Sequence, residues 1–252
     1  MFNPLDLSNR KILVTGASSG IGRATAIYLS KLGATIIATA RNEERLKETI
    51  SMLKGTNHSY FCYDLNDLDN IEKIFEFSTK DGAKLDGMVH SAGIAYVMPL
   101  RILEPSKLQE CFKSDFFCFV ELVRQYSKNK YNNGGSIVAI SSITSIKPSP
   151  CEVGYITAKS ALNASMKSLA LEISQKNIRI NAILAGNVKS NISTNQISEH
   201  YDKKFKENEI SNSLISRLGL PDEIASVCAF LLSDMASFIT ASLLDVSGGL
   251  NR

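Results

Sequence analysis

Short apolar, β-branched runs alternate with longer amphipathic stretches along the chain. The runs at 11–15, 35–40, 58–63, 87–90, 136–141, 178–183 and 243–246 read as strands. Helical patterns fill the intervals at 21–32, 42–53, 68–78, 116–128, 154–175 and 221–232. Regular alternation of this kind predicts parallel strands joined by right-handed helical crossovers. Most of the strand runs are apolar throughout, as expected for a sheet covered by helices on both faces. Two stretches fit neither period. Residues 147–153 carry Pro148 and Pro150 and read as a loop. Residues 187–216 are polar and weakly periodic, which suits either a lid over a substrate or a solvated surface excursion.

Length and composition fit one such domain. The chain has 252 residues, 44% of them hydrophobic and 21% charged. A net charge of +3 gives no argument for a nucleic-acid or anionic membrane partner. Lys203, Lys204 and Lys206 cluster, but Asp202, Glu207 and Glu209 interleave with them. The five cysteines show no Cys-x-x-Cys spacing, which argues against a disulfide framework or a zinc site and for a reducing compartment. No signal-peptide run and no membrane-spanning run is visible, so a cytoplasmic protein without a metal is expected.

The first strand runs into Gly16-Ala17-Ser18-Ser19-Gly20-Ile21-Gly22, and a helix follows. Glycines there allow a tight turn and close approach of backbone to a pyrophosphate, which the free N–H groups of the helix start then bind. The second strand ends in Arg41, where an acidic residue would select NAD. A cation at that place suits the extra phosphate of NADP, although Arg41 could instead pair with Glu44. Asp64, closing the third strand, could bond an adenine amino group or cap a helix.

Tyr155 and Lys159 stand at i and i+4, on one helix face. A nearby ammonium favours the phenolate, and so lowers the pKa of a phenol that would otherwise titrate near 10. Tyr126 and Lys130 repeat the spacing, but Ser142, 13 residues before Tyr155 at the end of a strand, selects the second pair because its hydroxyl can steady an oxyanion. Tyr126 and Lys130 read as the ragged end of a surface helix.

Taken in order, these features resemble the short-chain dehydrogenase/reductase family from about Lys11 to Gly249. The match rests on Thr15-Gly16-x-x-x-Gly20-Ile21-Gly22, Ala92-Gly93, Ser142, Tyr155-x-x-x-Lys159, Asn181, Gly186 and Gly248-Gly249. Its nearest look is that of 3-oxoacyl-carrier-protein reductases and related NADP-dependent carbonyl reductases. The resemblance implies a Rossmann-type, doubly wound, seven-stranded parallel sheet in one domain. It implies NADP(H) as cofactor, a small carbonyl or alcohol substrate, and a homodimer or homotetramer. It also implies hydride transfer with Ser142, Tyr155, Lys159 and Asp115 as catalytic residues. The cofactor would touch Gly16, Ser18, Ser19, Gly20, Ile21, Gly22, Arg41, Asp64 and Leu65. Further along the chain it would touch Ser91, Ala92, Gly93, Tyr155, Lys159, Gly186 and Val188.

Five positions depart from the family pattern. His90-Ser91 stands where Asn-Asn is usual, and Asp115 aligns with the asparagine that usually holds a relay water. Ala185 replaces the proline of a Pro-Gly pair, and Ser247 replaces an aspartate before the last glycine pair. His90 reads as a hydrogen-bonded structural residue. An active reductase or dehydrogenase, a cofactor-binding sensor or scaffold, and a lyase or epimerase on the same fold all remain open. The substrate pocket is expected at the carboxyl ends of the strands, near Ile94, Tyr96, Ile143, Thr144, Glu152, Asn187 and Val188.

Overall fold

The computed structural model describes residues 3–189 and 213–250. The predicted segment 187–216 therefore falls largely outside the described residues. Among the described residues, seven strands form one sheet: β1 (Lys11–Thr15), β2 (Thr35–Ala40), β3 (Ser59–Cys62), β4 (Leu85–His90), β5 (Asn132–Ser142), β6 (Ile178–Ala185) and β7 (Leu243–Val246). All neighbours are parallel, in the order β3-β2-β1-β4-β5-β6-β7. The order reverses between β1 and β4. A crevice forms at such a switch point, outside the carboxyl ends of the strands. Gly16 follows β1 on that side, and His90 and Ser142 end β4 and β5 there.

Among the described residues the α-helices are α1 (Gly20–Lys31), α2 (Glu43–Ser51), α3 (Glu72–Ser78), α4 (Pro105–Cys111), α5 (Cys118–Tyr126), α6 (Val153–Ile173) and α7 (Pro221–Leu232). Alternation along β1 explains why both sheet faces need cover. Ile12 and Val14 join the apolar layer built with α1 and α7, while Leu13 joins the layer built with α3, α5 and α6. Full burial of each such side chain is worth about 1.5–3 kcal/mol. Helix α1 presents Gly22, Thr25, Ala26 and Leu29 inward at helical spacing, with Thr25 against Cys228 of α7. Helix α7 starts at Pro221, and Glu223 accepts the Leu220 N–H at 2.7 Å. Among the described residues no helix is long and apolar enough to cross a membrane.

Two features differ from the sequence expectation. No apolar stripe marks helix α4, and it continues into a π-helical segment, Phe112–Phe117, before α5. The predicted helix 116–128 is thus the second half of a longer helical run. Tyr126 is also not ragged surface: it is fully buried and donates to the Gly134 carbonyl at 2.9 Å, while Lys130 pairs with Glu72 at 2.8 Å.

Candidate active site

The turn between β1 and α1 is built for close approach. Gly16 and Gly20 have φ of 67° and 52°, a left-handed conformation natural to glycine. A Cβ on Gly16 would stand 2.7 Å from the Ala92 nitrogen, and one on Gly22 would run into the Gly16 carbonyl. Ser19 caps α1 without a side-chain hydrogen bond, and the first turn holds no acid, so the N–H groups there keep their capacity for an anion. Arg23 anchors the turn by donating to the Ser18 carbonyl at 2.7 Å and pairing with Glu48 at 2.7 Å. A cavity of about 590 Å³ opens beside it, lined by Ser18, Ser19, Gly20, Arg45 and Lys189 among others. This cradle fits a dinucleotide pyrophosphate.

Arg41 is exposed just past β2. Glu44, its alternative partner, pairs with Lys47 at 3.1 Å. Asp64 is exposed and accepts the Asn66 N–H at 3.0 Å, while Leu65 beside it is buried. Gly186 packs so tightly on Ser247 that a Cβ would approach its Cα to 2.6 Å. Val188 is buried and bridges to Gly219. Asn181 is structural, tying the Ile239 carbonyl and the Ser242 N–H to β6.

Thr15 is a residue whose part sequence reasoning missed. Its Oγ1 accepts the Ser91 N–H at 3.2 Å and the Ala92 N–H at 3.4 Å, and meets His90 Nδ1 at 3.0 Å. With the oxygen already accepting twice, its proton points at Nδ1, and the ring proton falls on Nε2. Nε2 faces Cys118 Sγ at 3.8 Å, whose thiol donates to the Ser114 carbonyl at 2.7 Å. Burial, with help from Lys159, pulls the His90 imidazole from 6.5 down to about 3. It is a neutral structural tie between β1, β4 and α5, consistent with the sequence reading.

Ser142 ends β5, and Tyr155 and Lys159 rise on α6 beside it. Ser142 Oγ lies 2.8 Å from Thr144 Oγ1 and accepts the Thr144 N–H at 3.2 Å. With the Thr144 hydroxyl donating, the Ser142 proton points toward Tyr155, where a substrate oxygen would share it. The Lys159 ammonium sits 5.7 Å from the Tyr155 ring centre. It donates to the Ile140 carbonyl at 2.9 Å and pairs with Asp115 at 2.7 Å. Burial alone would push Lys159 down, but the charge and hydrogen bond of the Asp115 carboxylate, with the Tyr155 oxygen when it is ionised, outweigh it, and the net direction is up. The ammonium therefore stays charged. Burial raises the Tyr155 phenol, while Lys159 and a hydrogen bond from Ser142 pull it back. The expected lowering by Lys159 is present, but desolvation outweighs it.

Of the other pocket candidates, Tyr96 is bound to Glu110 of α4, and the Ile94 N–H donates to Asp115 at 3.1 Å. Thr144 touches Ser142, whereas Ile143 is packed with Leu184 and Leu250 beneath the site. The five cysteines are free thiols, and among the described residues no cluster of side chains suits a metal.

Residues 16–251 match the family profile described as Enoyl-(Acyl carrier protein) reductase. The 3-oxoacyl-(acyl-carrier-protein) reductase FabG of Rickettsia felis is 32% identical over 250 residues, covering 98% of both chains. A crystal structure assigned as a short-chain alcohol dehydrogenase of Sinorhizobium meliloti 1021 superposes with a TM-score of 0.89 at 30% identity, again over 98% of both chains. A 7α-hydroxysteroid dehydrogenase structure with NADH and 7-oxo glycochenodeoxycholic acid shares the fold, with a TM-score of 0.91 at 24% identity over 100% of this chain and 99% of its own.

Proposed function

Because this chain belongs to the short-chain dehydrogenase/reductase family, we propose that it is an NADP(H)-dependent oxidoreductase in which Tyr155 exchanges the proton at a carbonyl or alcohol oxygen. The observation that carries the reading is the convergence of Ser142, Tyr155 and Lys159 at the carboxyl end of β5. A nicotinamide cofactor bound in the cradle would supply or accept the hydride. Everything else falls to the chain. Ser142 orients the substrate oxygen with its hydroxyl. Tyr155 delivers one proton to that oxygen as charge develops on it. Lys159, fixed by Ile140 and Asp115, holds positive charge beside the phenolate left behind. The glycine turn and the α1 N-terminus bind the pyrophosphate, and Arg41 meets the 2′-phosphate.

A 3-oxoacyl thioester is the first carbonyl to offer, given the relative from Rickettsia felis. A cytoplasmic homodimer or homotetramer belongs to the same proposal, supported by the free thiols and by the family's habit. The test is loss of NADPH absorbance with a panel of carbonyl substrates. Wild type should turn over, and Tyr155→Phe should bind NADPH yet lose about 10²- to 10⁴-fold in rate. A Tyr155→Phe rate within a few-fold of wild type removes Tyr155 from proton transfer.

A further inference from the structure

Asp115 and Lys159 form a buried ion pair of 2.7 Å, with side-chain exposures of 0% and 5%. The second carboxylate oxygen accepts the Ile94 N–H at 3.1 Å. Gly93 closes over the pair: a Cβ there would collide with Asp115 Oδ1 and stand 3.2 Å from Lys159 Nζ. The carboxylate is thus held by backbone, by a cation and by shape. Breaking such a pair leaves an uncompensated buried charge, so its geometry is firmly kept.

Other titratable groups face it from every side. Cys111 of α4 and Cys118 of α5 are pushed up by burial and by Asp115 itself. His90 of β4 is held down near 3. The thiols and the imidazole are therefore uncharged at neutral pH. On α6, burial is the strongest influence on Tyr155 and favours the phenol; Lys159 pulls toward the phenolate, and Asp115 and Glu152 add to the effect of burial. Burial raises the Asp115 carboxyl too, against the pull of Lys159 and of the Ile94 N–H. The 2.7 Å contact with the ammonium makes it the negative partner of the lysine, and as such it offsets the lysine's pull.

We propose that Asp115 is a positioning residue that pins Lys159 and offsets its charge, adding to burial in keeping Tyr155 a proton donor poised for carbonyl reduction. The inference rests on the reading of Tyr155 as the proton-exchanging group. Asp115→Asn keeps the size and one acceptor oxygen, and replaces the charged carboxylate by a neutral amide whose NH2 donates. Ultraviolet phenolate absorbance, taken as the difference between each protein and its Tyr155→Phe counterpart, reads Tyr155 without any substrate. While Lys159, still bonded to the Ile140 carbonyl, keeps its proton, the phenolate should appear at lower pH in the Asp115→Asn background, with about threefold or more phenolate at a fixed pH on the rising limb, as expected for removal of one buried charge. In turnover, the rise of alcohol oxidation and the fall of carbonyl reduction should both move to lower pH.

Superimposable phenolate titrations overturn the proposal. So does a wild-type Tyr155 that ionises well below the ordinary tyrosine value of about 10, a result that needs no folded Asp115 variant. A protein that turns over no carbonyl defeats the reading of Tyr155 instead, and the phenolate titration still decides Asp115.

Discussion

His90 makes the fold sensitive to acid by an amount that follows from its surroundings. The unfolded imidazole takes a proton near pH 6.5, while the folded one waits until about 3. A folded value below the unfolded one means that stability is complete above pH 6.5 and is lost as the pH falls toward 3. Each unit in that window costs about 1.4 kcal/mol, so the fall from pH 7 to pH 5 costs about 2 kcal/mol. Burial is the main reason and the Lys159 charge the second; Nδ1 is in addition the acceptor for Thr15 and cannot take a proton without breaking that bond. His90→Asn, which installs the residue usual in the family, removes the titration. The variant should lose some stability at every pH from poorer packing, a constant offset. Urea unfolding of both proteins at pH 7 and pH 5 separates the two effects. The drop between the two pH values should be smaller in His90→Asn by about 2 kcal/mol. Equal drops would refute the assignment of a neutral buried imidazole.

Two further outcomes concern the cofactor. Arg41→Ala should weaken NADPH binding by roughly tenfold or more and leave NADH binding little changed, since a charge-assisted hydrogen bond is worth about 1.5–3 kcal/mol. Fluorescence titration with both cofactors checks this, and equal losses would place Arg41 away from the 2′-phosphate. Gly22→Ala drives a methyl into the Gly16 carbonyl and should abolish tight binding of either cofactor while the fold survives. Unchanged affinity by calorimetry would mean the turn does not hold the pyrophosphate.

Strands β1, β2 and β7 and helix α7 fall where their apolar runs begin and end, so these elements are legible in the sequence. Strand β5 starts at Asn132, ahead of its apolar run, because Asn132-Asn133-Gly134-Gly135 looks like a turn. Gly135 sits at φ 111° there, and a Cβ on it would strike the Asp86 carbonyl, a contact no local pattern announces. Helix α4 has only Cys111 buried, so it carries no periodic signal. At the site, Ser142, Tyr155 and Lys159 could be named from spacing. The direct Asp115–Lys159 contact could not, since the two lie on different elements and only the packing of the π-helical segment against α6 joins them. Nor could the tie through Thr15, His90 and Cys118, which links two strands and a helix that are distant in sequence.

The π-helical segment also says what kinds of change this stretch can absorb. Each residue of an α-helix turns the chain by about 100°. A π-helical turn is, in effect, one residue of slack taken up inside a longer helix. Deleting one residue between Phe112 and Phe117 would let the run from Pro105 to Tyr126 relax into a plain α-helix. Everything after the deletion would then rotate relative to everything before it. Asp115 would leave Lys159, or Cys118, Phe119 and Leu122 would leave the core. Phe112, Lys113 and Phe117 can vary in kind with little consequence for the ion pair. The number of residues between Cys111 and Cys118 cannot vary, so natural variation here should run to replacement and never to change of length.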